Sequence, residues 1–137
     1  MPINPRDYSP DWAEISRRIR FERAEGRCEC RGECGHEHPG GRCNAPHGVT
    51  VYRSRSEPWL WRKEPGEGFY PVKIILTTAH LDHDRRHNGD ENLRAFCQFC
   101  HLTHDRLHGA ALRRQRALEA GQLELPFDRE RKRKHLA

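Results

Sequence analysis

Six cysteines, at positions 28, 30, 34, 43, 97 and 100, constrain this 137-residue chain more than any other feature. Only 34% of the residues are hydrophobic while 33% are charged, so apolar burial is a weak offset to the entropy of ordering the chain. The cysteines are the available staple, as disulfides or as metal ligands, and the compartment decides between the two. Residues 1–25 contain Arg6, Asp11, Glu14, Arg17 and Arg18 and lack the apolar core of a signal peptide. Nowhere does the sequence reach an apolar run of about 18 residues, the length a membrane span needs. The expectation is a soluble, cytoplasmic protein with no membrane partner, whose cysteines stay reduced and bind metal.

The chain reads as one domain with extensions at both ends. In residues 1–26, Trp12, Ile15 and Ile19 recur at helical spacing and Gly26 is a stop, which predicts a short amphipathic helix over 11–25. Residues 27–121 are the expected zinc-stapled domain. Its first part, to residue 50, is rich in Gly, Pro, Cys and His and reads as a turn-filled loop. Over 51–71 the interruptions at Pro58, Pro65, Gly66, Gly68 and Pro71 leave only short extended pieces. The segment VKIILTTA (72–79) is the strongest strand signal and leads directly into His80, Leu81, Asp82, His83 and Asp84. Asn88-Gly89-Asp90 signals a turn, Leu93, Ala95 and Phe96 a return strand, and a helix runs from about 98 to 120 with Gly121 ending it. Residues 122–137 form a basic tail with the composition of a disordered segment. Of the net charge of +5, the run Arg129, Arg131, Lys132, Arg133 and Lys134 against Glu130 contributes +4, leaving +1 for the rest. Basicity alone is therefore a weak argument for nucleic acid.

Cys97 and Cys100 form a CxxC, a spacing at which one turn lets two thiolates reach a single Zn²⁺. Cys28 or Cys30, together with Cys34, are the expected completing ligands, and a closed site of this kind contributes directly to folding. Cys43 and the cysteine left over offer a second site with His36, His38 or His47, or remain reduced thiols. A redox pair or three disulfides is the competing reading, but the βαβ context of a redox CxxC is missing.

The stretch TTAHLDHDRRHNGDENLRAFCQFCHLTHD resembles the motif of the HNH endonucleases: a histidine at a strand end (His80), an Asn-Leu pair twelve residues on (Asn92, Leu93), and a CxxCH whose His101 lies nine residues beyond Asn92. The resemblance covers about residues 27–105 and implies an α+β fold, a small zinc-stapled ββα-metal domain with an N-terminal helix and a long C-terminal helix. It further implies cleavage of DNA phosphodiesters, with His80 as general base, Asn92 holding the hairpin by backbone hydrogen bonds, and His101 binding a catalytic Mg²⁺ or Mn²⁺ that stabilises the transition state. Family members often place an Asp or His ligand immediately before the base, where this chain has Ala79. Asp82 and His83 are the candidate replacements, and the roles of His80 and His83 could also be exchanged. Asp105, one helical turn after His101, is a further candidate ligand.

Arg85, Arg86 and Arg94 are the candidate DNA contacts. His87, His104 and His108 read as solvated turn or helix residues. HExxH, zinc-deaminase and C₂H₂-finger spacings are all missing, which sets those classes aside. Two further readings stand beside the nuclease: a non-catalytic zinc module that binds nucleic acid, and a redox or metal-storage protein.

Overall fold

The structure, a computed structural model, describes residues 9–121. The basic tail at 122–137 lies outside the described residues. The fold is α+β, with two antiparallel sheets and two helices, α1 (Trp12–Arg17) and α2 (Gln98–Glu119). The chain divides within α2 into two compact units, Met1–His104 and Asp105–Ala137. Among the described residues no helix is long and apolar enough to cross a membrane.

α1 continues into a π-helical turn, Arg18–Arg23, in which the Ala24 N–H reaches back to Ile19 O at 2.9 Å. Ile19 on this wider turn has zero exposure, and Arg23 at its end reaches Leu93. Arg23 donates to Asp90 O at 2.6 Å, to Leu93 O, and to both carboxylate oxygens of Glu29. The N-terminal helix is thereby tied into the domain.

β1 (Thr50–Ser54) is the centre of a three-stranded sheet, flanked by β2 (Trp61–Arg62) and β3 (Phe69–Lys73). The segment expected to hold only short extended pieces thus forms a sheet. Pro71 is tolerated because β3 is an edge strand. The continuous strand expected over 72–79 is broken: β3 ends at Lys73 and β4 (Leu76–His80) belongs to the second sheet. At the break the Ile74 N–H turns to Val49 O and the Ile75 N–H to Gln98 Oε1, while the Gln98 amide donates to Lys73 O. Satisfying these backbone groups elsewhere lets the chain leave one sheet for the other.

β4 pairs antiparallel with β5 (Leu93–Cys97), from Leu76 opposite Cys97 to His80 opposite Leu93, and β5 runs directly into α2. Their shared core holds Ile19, Val51, Ile74, Leu76, Leu93, Ala95 and Phe96. All six cysteines are buried in the same cluster, so sulfur fills a core that apolar side chains only partly supply. In the second unit α2 closes on Gly121, whose φ of 74° is the left-handed conformation that favours glycine, with its N–H on Leu118 O.

Candidate functional site

Two short extended segments build the sulfur cluster. The Cys28 N–H donates to Ala45 O, the Asn44 N–H to Cys28 O and the Cys43 N–H to Cys30 O, at 3.0, 3.0 and 2.9 Å. This ladder brings Cys43 beside Cys28, and the β5–α2 junction adds Cys97 and Cys100. The sulfurs of Cys28, Cys43, Cys97 and Cys100 lie within 4.8 Å of one another, all buried. So do the ligand atoms of Cys30, Cys34, His38 and Cys100. Either group could hold a metal such as zinc, by ligand type and by closure from solvent.

Crowding of the sulfurs polarises their protons. Cys97 falls well below the ordinary thiol value, through hydrogen bonds from Cys100 above all, then Cys28 and Cys43, with the Arg53 guanidinium adding its charge. Cys34 is lowered to about 3, again chiefly by Cys100 and then Cys30. Cys43 is lowered in the same way. Cys100, which serves all of these neighbours, is pushed up. Against the lowering pull of Cys100, Cys28 is pushed up as well, by Cys43, Cys97 and burial, so lowered and raised thiols share their protons within one buried group.

The expected set joins Cys28 or Cys30 and Cys34 to Cys97 and Cys100 and leaves Cys43 to a second site; in the structure Cys43 stands with Cys28, Cys97 and Cys100, while Cys34 meets Cys100 in the other group, with Cys30 and His38. The reason is the backbone ladder between 28–30 and 43–45, which spacing along the chain does not reveal. His38 is the one histidine of its loop that reaches sulfur, with Nε2 3.4 Å from Cys34 Sγ and 3.7 Å from Cys100 Sγ. His36 stacks on Trp59 at 4.1 Å, and His47 Nδ1 accepts the Leu76 N–H at 3.0 Å, so neither joins a group.

The second cluster lies on the turn between β4 and β5. Asn92, 6% exposed, locks it: its Oδ1 accepts the Asp82 N–H at 3.2 Å, and its Nδ2 donates to Asp82 Oδ1 and to His87 O, both at 2.9 Å. Asp82 also accepts from the Asp84 N–H and from His87 Nδ1, which together with Asn92 hold its carboxyl well below the usual range, His87 contributing most. Asp82 is therefore committed to holding the turn.

His80 Nε2 lies 2.8 Å from Asn88 Oδ1, and the Asn88 amide donates onward to Ser9 Oγ at 3.3 Å. An amide oxygen only accepts, so Nε2 carries a proton, which in the neutral ring leaves the lone pair to Nδ1. The ring stacks on Trp12 at 4.8 Å, and the residue is 8% exposed. Thr78, two residues back on the same strand face, bonds to Ser16 at 2.8 Å. Thr77, on the opposite face, bonds to His101 Nδ1. His80 therefore faces the N-terminal helix and His101 faces away from it, so these two expected site residues do not share one face of the hairpin.

His83 instead meets the helix. At φ 61° it holds the left-handed conformation, and its ring stacks on His104 with centroids 4.5 Å apart and 9° between planes. Phe96 supports His104 edge-on at 5.6 Å. Asp105 is the first residue of the second unit. His104, read from the sequence as a solvated helix residue, is instead packed between the rings of His83 and Phe96, and Trp12, read only as part of an amphipathic helix, stacks on His80. The signal for His104 was its position three residues after His101, a shared helix face; the signal for Trp12 was only its place on an amphipathic helix.

Of the arginines, Arg94 is engaged by Leu93 O at 2.8 Å and by Glu33 at 3.4 Å. It lines a cleft of about 330 Å³ with Glu29, Arg31, Glu33, Arg42 and Leu81, whose charges are mixed rather than uniformly basic. Arg85 and Arg86 lie in the turn itself, the Arg86 N–H bonded to Asp84. Comparison of the chain with protein-family models, with curated proteins and with solved structures found no match.

Proposed function

We propose that the protein is a metal-dependent endonuclease of the HNH type that hydrolyses DNA phosphodiesters. The observation that carries this reading is the Asn92-locked turn between the two strands of a β–β–α unit, with His80 at the end of β4 and His83 three residues on, within the turn. His80 is the general base: Asn88 fixes the tautomer that leaves Nδ1 basic, and Trp12 fixes the plane of the ring. His83 and His104 would hold the divalent cation, Mg²⁺ or Mn²⁺, in place of the ligand that Ala79 does not provide. Such a cation, when bound, supplies Lewis-acid stabilisation of charge on the phosphoryl oxygens and the leaving 3′ oxygen. His101, bonded to Thr77, braces β4 against α2 in this arrangement rather than leading the metal site. Arg85 and Arg86, within the turn, lie where a phosphate backbone would pass.

A second reading, a zinc module that binds nucleic acid without cutting it, is favoured by the burial of His80 under Trp12. Plasmid nicking with Mg²⁺ or Mn²⁺ separates the two. The nuclease reading expects metal-dependent nicking that is lost in His80→Ala and in His83→Ala at unchanged zinc content. Salt-sensitive DNA binding without nicking by the intact protein would establish the second reading instead.

A further inference from the structure

The two cysteine groups are not independent, because Cys100 belongs to both. Six cysteines and His38 give seven ligands, whereas two tetrahedral ions need eight positions. We propose that the protein carries a dinuclear zinc cluster in which the Cys100 thiolate bridges an ion held by Cys28, Cys43 and Cys97 to an ion held by Cys30, Cys34 and His38.

The distances fit this arrangement. With Zn–S near 2.3 Å and Zn–N near 2.05 Å, a tetrahedral site has an N···S edge of about 3.6 Å. His38 Nε2 lies 3.4 and 3.7 Å from the sulfurs of Cys34 and Cys100, on either side of that value. Position in the fold gives the same answer. Cys100 sits in the first turn of α2, and it is the residue of that helix that is buried. It lies where the 28–45 ladder, the 30–38 loop and the end of β5 meet.

Charge supplies an independent argument. Arg53 is 1% exposed, and a guanidinium so deeply buried requires an anion. Its Nη1 donates to Pro58 O at 2.8 Å, and its Nη2 points at Cys97 Sγ at 3.1 Å. Two dications and six thiolates leave the cluster with two negative charges, one of which Arg53 balances. The Cys97 N–H, 3.2 Å from Cys28 Sγ, spreads the remainder as an N–H···S bond. Four neutral thiols would give the buried guanidinium no counter-charge. The bridge is independent of the nuclease reading, since none of its ligands belongs to the histidine turn.

Exchange of the zinc in the full-length protein for ¹¹³Cd tests the bridge directly. The expected result is two ions per chain and two ¹¹³Cd resonances, the four-sulfur site at lower field than the three-sulfur, one-nitrogen site, each split by ¹¹³Cd–¹¹³Cd scalar coupling through the shared sulfur. One ion per chain, or two unsplit resonances, would overturn the proposal. In His38→Ala the expected metal content falls from two to one and the surviving resonance becomes a singlet. Retention of two coupled ions in that variant would also overturn the assignment. The wild-type spectrum decides the question even where a cysteine variant fails to fold.

Discussion

Replacing Asn92 with alanine removes the lock of the β4–β5 turn, and the structure sets the size of the effect. Three hydrogen bonds are lost: one accepted from the Asp82 N–H, one donated to the Asp82 carboxylate and one donated to His87 O. An ordinary protein hydrogen bond contributes about 1 kcal/mol net, and a bond to an ionised group about 1.5–3 kcal/mol. Asp82 is 44% exposed, so its bond belongs at the low end. The sum is about 3 kcal/mol, a large share of the ~5–15 kcal/mol that holds a small domain together. With a urea m-value of about 1.5 kcal/mol/M for a domain of this size, the midpoint falls by roughly 2 M. The measurement is urea unfolding of wild type and Asn92→Ala with zinc in fixed excess and equal metal content verified. Asn92→Asp sharpens it: a second carboxylate within reach of Asp82 should be more damaging than alanine at neutral pH and recover in acid. A midpoint shift below about 0.3 M for Asn92→Ala, or an Asp variant no worse than the Ala variant, would refute the idea that this side chain holds the turn.

The ion pairs of the turn carry a pH signature. His87 is held above its ordinary value by Asp82 first and then by Glu91, so its contribution is full below about pH 6.5 and fades as pH rises through the raised value; Asp82 is depressed, so its contribution is full above about pH 4 and is lost as pH falls further. The destabilisation caused by His87→Gln should accordingly shrink in alkaline solution, and a pH-independent difference in unfolding midpoint would contradict this. Stripping zinc with a strong chelator under reducing conditions should unfold the Met1–His104 unit, because structural zinc supplies on the order of 10 kcal/mol and six of the core side chains are cysteines; an unchanged far-UV circular dichroism spectrum would count against a structural metal. Arg53→Met should weaken zinc retention by tenfold or more in a competition assay, with Arg53→Lys between, since a lysine cannot hold Pro58 O and the Cys97 sulfur together. Trp12→Ala should lower nicking by about tenfold with zinc content unchanged, as the His80 ring loses its stacking partner; undiminished nicking would separate Trp12 from the site.

The parts of the fold legible in the sequence were those set by local chemistry. The β5–α2 unit and its stop at Gly121 followed from periodicity and a glycine cap, and they stand as expected. The β1–β2–β3 sheet was obscured because Pro71 and the glycines of 65–68 argue against strands unless an edge position is available, and edge position is a property of the whole sheet. The break at Ile74 was hidden for a related reason. VKIILTTA is uniformly β-forming, and what divides it is a side-chain bond from Gln98, more than twenty residues away. The CxxC announced a metal, but the pairing of 28–30 with 43–45 that chooses Cys43 over Cys34 depends on backbone hydrogen bonds that carry no residue signature. Arg53 gave no sign at all, being one of 25 lysines and arginines until its burial beside sulfur sets it apart.

Ala79 shows how packing redirects a motif. It is 2% exposed and paired with Arg94, on the strand face it shares with Thr77, which bonds to His101. A carboxylate or imidazole there would be desolvated within the hairpin, at a cost of several kcal/mol unless a cation were always present. Alanine removes that cost, and in the proposed site His83 would supply the ligand from the turn instead. His83 occupies a left-handed conformation that disfavours ordinary side chains by about 1–2 kcal/mol. That strain is sustained by the Asn92 and Asp82 bonds around it, and it is what brings the imidazole to His104. His83→Gly follows as a discriminating variant. If strain at this position serves the site, the glycine protein should be as stable as wild type or more so, yet lose metal-dependent nicking; a glycine variant that is less stable and still active would show that His83 holds the turn instead of serving it.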